Sequence, residues 1–180
     1  MIVGITGTFA SGKDAAAEYL EQKGYEHISS ADMLRQELKK KGLPENRDNL
    51  RITANELVKK YGGEYLAEKA YKSALNRDKL IISAVRRQGE IDFLKSKDRF
   101  VLIFIDAPVE VRYQRMKNRS REGKELVTLE DLKQKEKKEF SGDNSQRLDY
   151  CKRHADYLLD NSSNLRDLQI KIDKILLEID

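Results

Sequence analysis

An apolar run, Met1-Ile2-Val3-Gly4-Ile5-Thr6, passes without a break into Gly7-Thr8-Phe9-Ala10-Ser11-Gly12-Lys13-Asp14, and this junction constrains the chain more than any other feature. The stretch that follows, Asp14-Ala15-Ala16-Ala17-Glu18-Tyr19-Leu20, is helix-competent. A strand that ends in a glycine-rich turn and enters a helix aims successive backbone N–H groups at one spot. The positive end of the helix points there too. Polyphosphate is what such a spot holds. The G-x4-G-K spacing therefore reads as a phosphate-binding loop. Residues Thr8, Phe9, Ala10, Ser11, Gly12 and Lys13 cradle the phosphates, and Lys13 reaches the β- and γ-phosphates as a point charge. Position 14 usually carries Ser or Thr, whose hydroxyl ligates Mg²⁺. Here it is Asp14, a hard-oxygen ligand for the same ion. Its added negative charge is partly offset by the helix start.

Four further apolar runs read as parallel strands: Gly24–Ser29, Lys79–Val85, Phe100–Asp106 and Ala155–Asp160. Helical patterns lie between them, at about 14–23, 31–41, 46–60, 64–76, 89–97, 109–120, 129–140 and 164–179. The last carries Leu165, Leu168, Ile172, Ile175, Leu176 and Ile179 at helical spacing, a stripe that packs on a sheet. Strand alternating with helix implies a layered α/β fold with right-handed crossovers. Ligands in such sheets gather at the carboxyl ends of the strands. About 50 residues, all helical, separate the second and third strands. That is too much for a simple crossover and reads as a helical region covering an acceptor site.

At 180 residues the chain reads as one domain with a sufficient core. Its 35 basic residues face 31 acidic ones, a balance that gives no nucleic-acid footprint. No aromatic stacking platform argues for one either. Single Cys151 excludes an intramolecular disulfide and a cysteine-based zinc cage, and reads as a small buried hydrophobe. No apolar stretch reaches the ~18 residues of a membrane span. With no charged leader region ahead of the first strand, a cytoplasmic location is expected.

Several polar residues fall near the carboxyl ends of the expected strands. Ser30 reads as a helix cap, while Asp32 and Arg35, three apart on one helix face, are candidates to touch an acceptor. Arg86 and Arg87 follow the third strand, where a planar guanidinium suits phosphate. Arg112, Arg115 and Arg119 recur on one helix face, and Arg121 follows; arginines flanking a short turn can close over a migrating phosphoryl group. The run Lys133–Glu139 reads as a solvated helix face. Asn161 lies in the turn after the last strand. His27 and His154 lack metal-ligand spacing and read as structural.

The loop, the arginine row and the last turn together resemble the P-loop small-molecule kinases, the group of nucleoside monophosphate kinases and dephospho-CoA kinases. The likeness runs from Ile2-Val3-Gly4-Ile5-Thr6-Gly7 to Ala155–Asn161. It implies a three-layer P-loop fold with five parallel strands in the order 2-3-1-4-5. It also implies an acceptor-binding region over about 31–76 and a lid over about 119–129. The G-K-D form of the loop is similar to that of phage-type deoxynucleoside monophosphate kinases and animal phosphomevalonate kinases. Asn46–Leu50 and Ala54–Leu57 look like the kinase-like domains fused to deoxycytidylate deaminases, although no deaminase zinc signature is present.

Carried onto this chain, the resemblance implies ATP as donor and Mg²⁺ held by Asp14. Lys13, Arg115, Arg119 and Arg121 are the expected catalytic cations, Asn161 an adenine contact, and Asp32, Arg35 and Arg86 the acceptor ligands. A nucleoside monophosphate leads as acceptor, with dephospho-CoA second and a regulatory nucleotide-binding domain as the reading from another class. Small nucleotides are the expected partners of a monomer or small homo-oligomer, with no nucleic acid and no membrane. One departure stands out. The family places an acidic residue at the end of the third strand, where this chain has Ser83 and Ala84; Asp14, Asp32 and Asp106 are the candidates to compensate.

Overall fold

Five strands run parallel in the order β2-β3-β1-β4-β5, so the strand that feeds the loop lies at the centre of the sheet. The computed structural model describes residues 1–97, 99–119, 128–141 and 147–179. In chain order the elements are β1 (Ile2–Gly7), α1 (Lys13–Gln22), β2 (Glu26–Ser29), α2 (Ser30–Lys41), α3 (Arg47–Tyr61), α4 (Tyr65–Ser73) and β3 (Leu80–Ser83). They continue with α5 (Gln88–Lys95), β4 (Phe100–Asp106), α6 (Val109–Arg119), α7 (Leu129–Ser141), α8 (Leu148–Arg153), β5 (Tyr157–Asp160) and α9 (Leu165–Ile179). Every residue of β1 is buried. Side chains alternate faces along a strand, and each face of β1 has its own core. Ile2 packs with Leu80, Ile82, Leu102 and Phe104 under α4, α5 and α8. Val3 and Ile5 pack with Ile81, Ile103 and Ile105 under α1 and α9.

The α9 stripe buries Leu168, Ile172 and Ile175, as its spacing predicts. A third cluster of Met33, Leu34, Ala54, Leu57 and Leu66 joins α2, α3 and α4 beside the sheet. Three details differ from the sequence reading. The cap of α2 is Ser29, whose side chain accepts the Ala31 N–H at 3.3 Å. Ser30 instead donates to the carbonyls of Ser83 and Ala84, at 3.1 and 3.0 Å, and so ties the start of α2 to the end of β3. A short helix, α8, precedes β5 and buries Leu148 and Cys151. Most of the expected lid, together with Arg121, lies outside the described residues.

Candidate active site

Gly7 and Gly12 set the loop's path, each for a steric reason. Gly7 has φ 140°, and a Cβ there would meet the carbonyl oxygen of Ile105 at 1.9 Å. Gly12 has φ 100°, and a Cβ would meet the Asn161 amide at 2.3 Å. Ala10 also sits in the left-handed region, at φ 60°. Glycine tolerates that region freely, whereas alanine stores strain there. From the start of α1, Lys13 reaches back across the loop, its Nζ donating to the Thr8 carbonyl at 2.5 Å. Burial, reinforced by the charge of Arg86, lowers its pKa from 10.5 to about 7; Asp14 and Glu139 pull the other way. The loop cation is thus short of counter-charge, and an anion is what would complete it.

Both flanks of the loop are fastened by residues distant in sequence. The Thr8 hydroxyl donates to Asp106 at the end of β4, at 2.7 Å. Asp106 also accepts Lys152 of α8 at 3.1 Å. Arg112, only 3% exposed, donates to the carbonyls of Ala107 at 2.7 Å and Phe9 at 3.3 Å. Its other nitrogen pairs with Glu136 at 2.7 Å. Arg112 therefore braces the loop, while its neighbour on the helix, Arg115, braces the last turn: its Nη2 donates to the carbonyls of Asn161 and Ser163 at 2.8 and 3.0 Å. Arg115 Nη1 is buried without a hydrogen-bond partner among the described residues. Only the backbone of Arg119 is described. Asn161 turns its amide into the loop, donating to the Ser11 carbonyl at 2.8 Å.

At the end of β3 the chain turns through Ala84, at φ 62°. A residue in that conformation costs on the order of 1–3 kcal/mol, which the surroundings must hold in place. Glu90 of α5 holds it. One carboxylate oxygen accepts the backbone N–H groups of Arg86 and Arg87, at 2.7 and 3.0 Å. Glu90 is fully buried, and burial raises its pKa, while Arg87 opposes the shift. Arg87 itself is 5% exposed and lies in the interior with Glu90 and Cys151, not at the surface. Burial also raises the Cys151 thiol to about 12, which makes it inert as a nucleophile. The Arg86 guanidinium pairs with Glu139 of α7 at 3.2 Å.

The 133–139 run is therefore not wholly solvated, because Glu136 and Glu139 turn inward onto Arg112 and Arg86. A sequence signal existed. Leu132, Glu136 and Phe140 are four apart, and Glu139 shares their face, so both carboxylates lie on the side of α7 that packs. Lys152 and α8 gave no comparable signal. On the acceptor side, Asp32 and Arg35 touch each other at 2.5 Å, and Arg35 also pairs with Glu45 at 2.6 Å. All three are exposed. Ser83 bonds His27 at 2.8 Å and brings no acid to the site. Of the three carboxylates that could compensate, Asp106 is the one hydrogen-bonded to the loop. Asp14 is exposed in the first turn of α1, and its carboxylate makes no hydrogen bond among the described residues.

A family model described as an AAA domain matches residues 6–133. The UPF0200 protein of Methanococcus maripaludis is 31% identical over 125 residues, which cover 67% of this chain and 68% of the relative. The chain belongs to the AAA-domain family and to UPF0200. The UPF0200/UPF0201 protein of Archaeoglobus fulgidus is 29% identical over 184 residues; the match takes in 99% of this chain, which spans about half (55%) of that relative's length. Among solved structures, shikimate kinase from Acinetobacter baumannii in complex with shikimate superposes with a TM-score of 0.61 at 18% identity. It covers 98% of this chain and 93% of that one. An uncharacterized protein from Eubacterium ventriosum gives 0.64 at 17% identity, covering 99% and 98%. At such identities the likeness is one of fold, and the fold is that of the P-loop kinases.

Proposed function

We propose that the chain is an ATP- and Mg²⁺-dependent phosphotransferase with a small nucleotide-like acceptor, a nucleoside monophosphate. The observation that carries this reading is the cation group at one loop. Lys13 spans the loop, and Arg86 and Arg112 stand close enough for their charges to lower its pKa. Cations crowd in this way where a polyphosphate offsets their repulsion. Lys13 neutralises the β/γ-phosphates and the amides of residues 8–13 cradle them. Arg115, Arg119 and Arg121 close over the transferring phosphoryl, and Asn161 lies against the donor base. Asp32, Arg35 and Arg86 position the acceptor.

Mg²⁺ is commonly bound through one or two carboxylates plus phosphate oxygens, so a lone exposed carboxylate at the loop is a fitting donor. Asp14 would hold the ion, which supplies charge neutralisation at the β- and γ-oxygens. The chain's own task is to orient the phosphates and to keep Lys13 charged beside them.

Calorimetric titration with ATP, followed by turnover against a panel of nucleoside monophosphates and dephospho-CoA, tests the reading. Transfer to a monophosphate, lost in Lys13→Ala, is the expected result. Transfer to dephospho-CoA alone replaces the acceptor. Ser83 and Ala84, where an acid is expected, favour a second reading, a regulatory domain that binds ATP without transfer; ATP binding with no turnover on any acceptor decides for it.

A further inference from the structure

Arg86 and Arg87 are neighbours in sequence, yet the fold uses them differently. Arg87 is 5% exposed, a part of the interior. The Arg86 guanidinium reaches instead to Glu139 of α7, at 3.2 Å. The backbone between these two fates is held on both sides. One oxygen of Glu90 accepts the N–H groups of Arg86 and Arg87, at 2.7 and 3.0 Å. The Arg86 carbonyl accepts the N–H of Arg147, which precedes α8, at 2.9 Å. The turn that carries Glu90 is itself seated. A Cβ on Gly89 would meet the carbonyl carbon of Gly63 at 2.7 Å, so the first turn of α5 lies directly on the backbone between α3 and α4.

A carboxylate that only caps a helix can stay in solvent, where water replaces it at little cost. Glu90 is 1% exposed, and nothing replaces a buried acceptor that serves two donors. We infer that Glu90 is a positioning residue. By holding two consecutive N–H groups it fixes the direction in which Arg86 leaves the end of β3, and so keeps that guanidinium on the acceptor's phosphate while Arg87 stays inside. This rests on the proposed reading of Arg86 as an acceptor ligand. A guanidinium sits at the tip of a long side chain, so a small rotation of its peptide unit is amplified there. Misplacement by about 1 Å is enough to cost a reaction heavily.

The experiment reads Arg86 itself. Its Nε–Hε resonance, assigned by its loss in Arg86→Lys, is followed by NMR as inorganic phosphate is added with ADP present to occupy the loop. Glu90→Leu, close in size but without an acceptor, should weaken phosphate at Arg86 about fivefold or more. Glu90→Gln, which keeps an oxygen able to accept both N–H groups, should stay within about twofold of the unmodified protein. Leu94→Ala, one turn further along α5 and fully buried, should lower the urea midpoint and leave phosphate binding unchanged. Turnover should show the same split: the nucleoside monophosphate KM rises in Glu90→Leu, while ATP affinity stays within about twofold. Equal phosphate binding in a folded Glu90→Leu protein overturns the inference, as does a weakening that merely follows the urea midpoint through all the variants. If Glu90→Leu fails to fold, Glu90→Asp carries the test: its carboxylate falls a methylene short, phosphate at Arg86 should weaken, and unchanged binding overturns the inference. No response of Arg86 to phosphate in the unmodified protein overturns the inference together with the acceptor assignment. A response without transfer to any nucleoside monophosphate strikes the phosphotransferase reading alone.

Discussion

The phosphate loop and the α2–α4 helices meet at the same edge of the sheet, but their charges are held in opposite ways. Around the loop, ion pairs join residues far apart in sequence and lie mostly out of solvent, as Arg112–Glu136 and Arg86–Glu139 do. In α2 the Asp32–Arg35–Glu45 group is local, and its side chains are 44–58% exposed. Shielded pairs fix geometry, whereas exposed pairs contribute only about 0–1 kcal/mol and exchange partners readily. The loop is therefore fixed by the fold, while the Asp32–Arg35–Glu45 group stays adjustable. On the proposed phosphotransferase reading, that difference suits one constant donor and a selected acceptor.

The largest effect that could break the comparison is at Gly7. Gly7→Ala drives a Cβ against the Ile105 carbonyl, a backbone atom unable to step aside. A loss of about 3 kcal/mol is expected from overpacking and left-handed strain combined. The urea midpoint measures it, and an unchanged midpoint would show that the loop is not pre-set. Lys13→Ala should weaken triphosphate binding tenfold or more, about 1.4 kcal/mol, in calorimetric titration.

Asp14→Ala should raise the Mg²⁺ concentration needed for half-maximal turnover several-fold, while Asp14→Thr should stay active with a smaller rise. Superimposable Mg²⁺ curves would reduce Asp14 to a helix-start residue, worth ~0.3–1 kcal/mol to stability.

A pH series sharpens the same point. Lys13 titrates near 7 in the folded chain, against 10.5 for an ordinary lysine. Its charge, and with it ATP affinity, should fall as pH rises through 7. For folding the sign reverses: between about 7 and 10.5 the unfolded chain holds the proton that the folded chain has lost, so this residue's contribution to stability increases with pH. The smallest effect belongs to Arg35→Ala. It should change stability by less than about 1 kcal/mol in chemical denaturation, while raising the acceptor KM. A large loss of stability there would erase the contrast between the two regions.

The same contrast explains what the sequence could reveal. The loop, the buried strands and the α9 stripe are written in near-neighbour patterns, and all three are present. Strand order came through the family resemblance, because spacing alone does not fix it. The braces were illegible for a physical reason: a charged residue's partner is decided by packing. Arg86 and Glu139 stand 53 positions apart, and Asp106 and Lys152 stand 46 apart. The helix α8, Leu148–Arg153, is too short for its periodicity to emerge. Arg115 shows the limit most directly. Helical spacing places it in the arginine row, but only the folded chain brings its guanidinium to the carbonyls of residues 161 and 163.

The hydrogen bond from Asn161 to Ser11 spans 150 residues, and it has a kinetic consequence. Contacts of such long range form late, after the intervening chain has folded. During synthesis the loop emerges well before β5, yet its brace arrives only when β5 docks beside β4. A nascent chain that has not yet made its last strand carries every residue of the loop without the loop's final shape. Nucleotide capture is thereby tied to completion of the sheet, and a protein halted short of β5 would leave the ribosome with its phosphate grip unset.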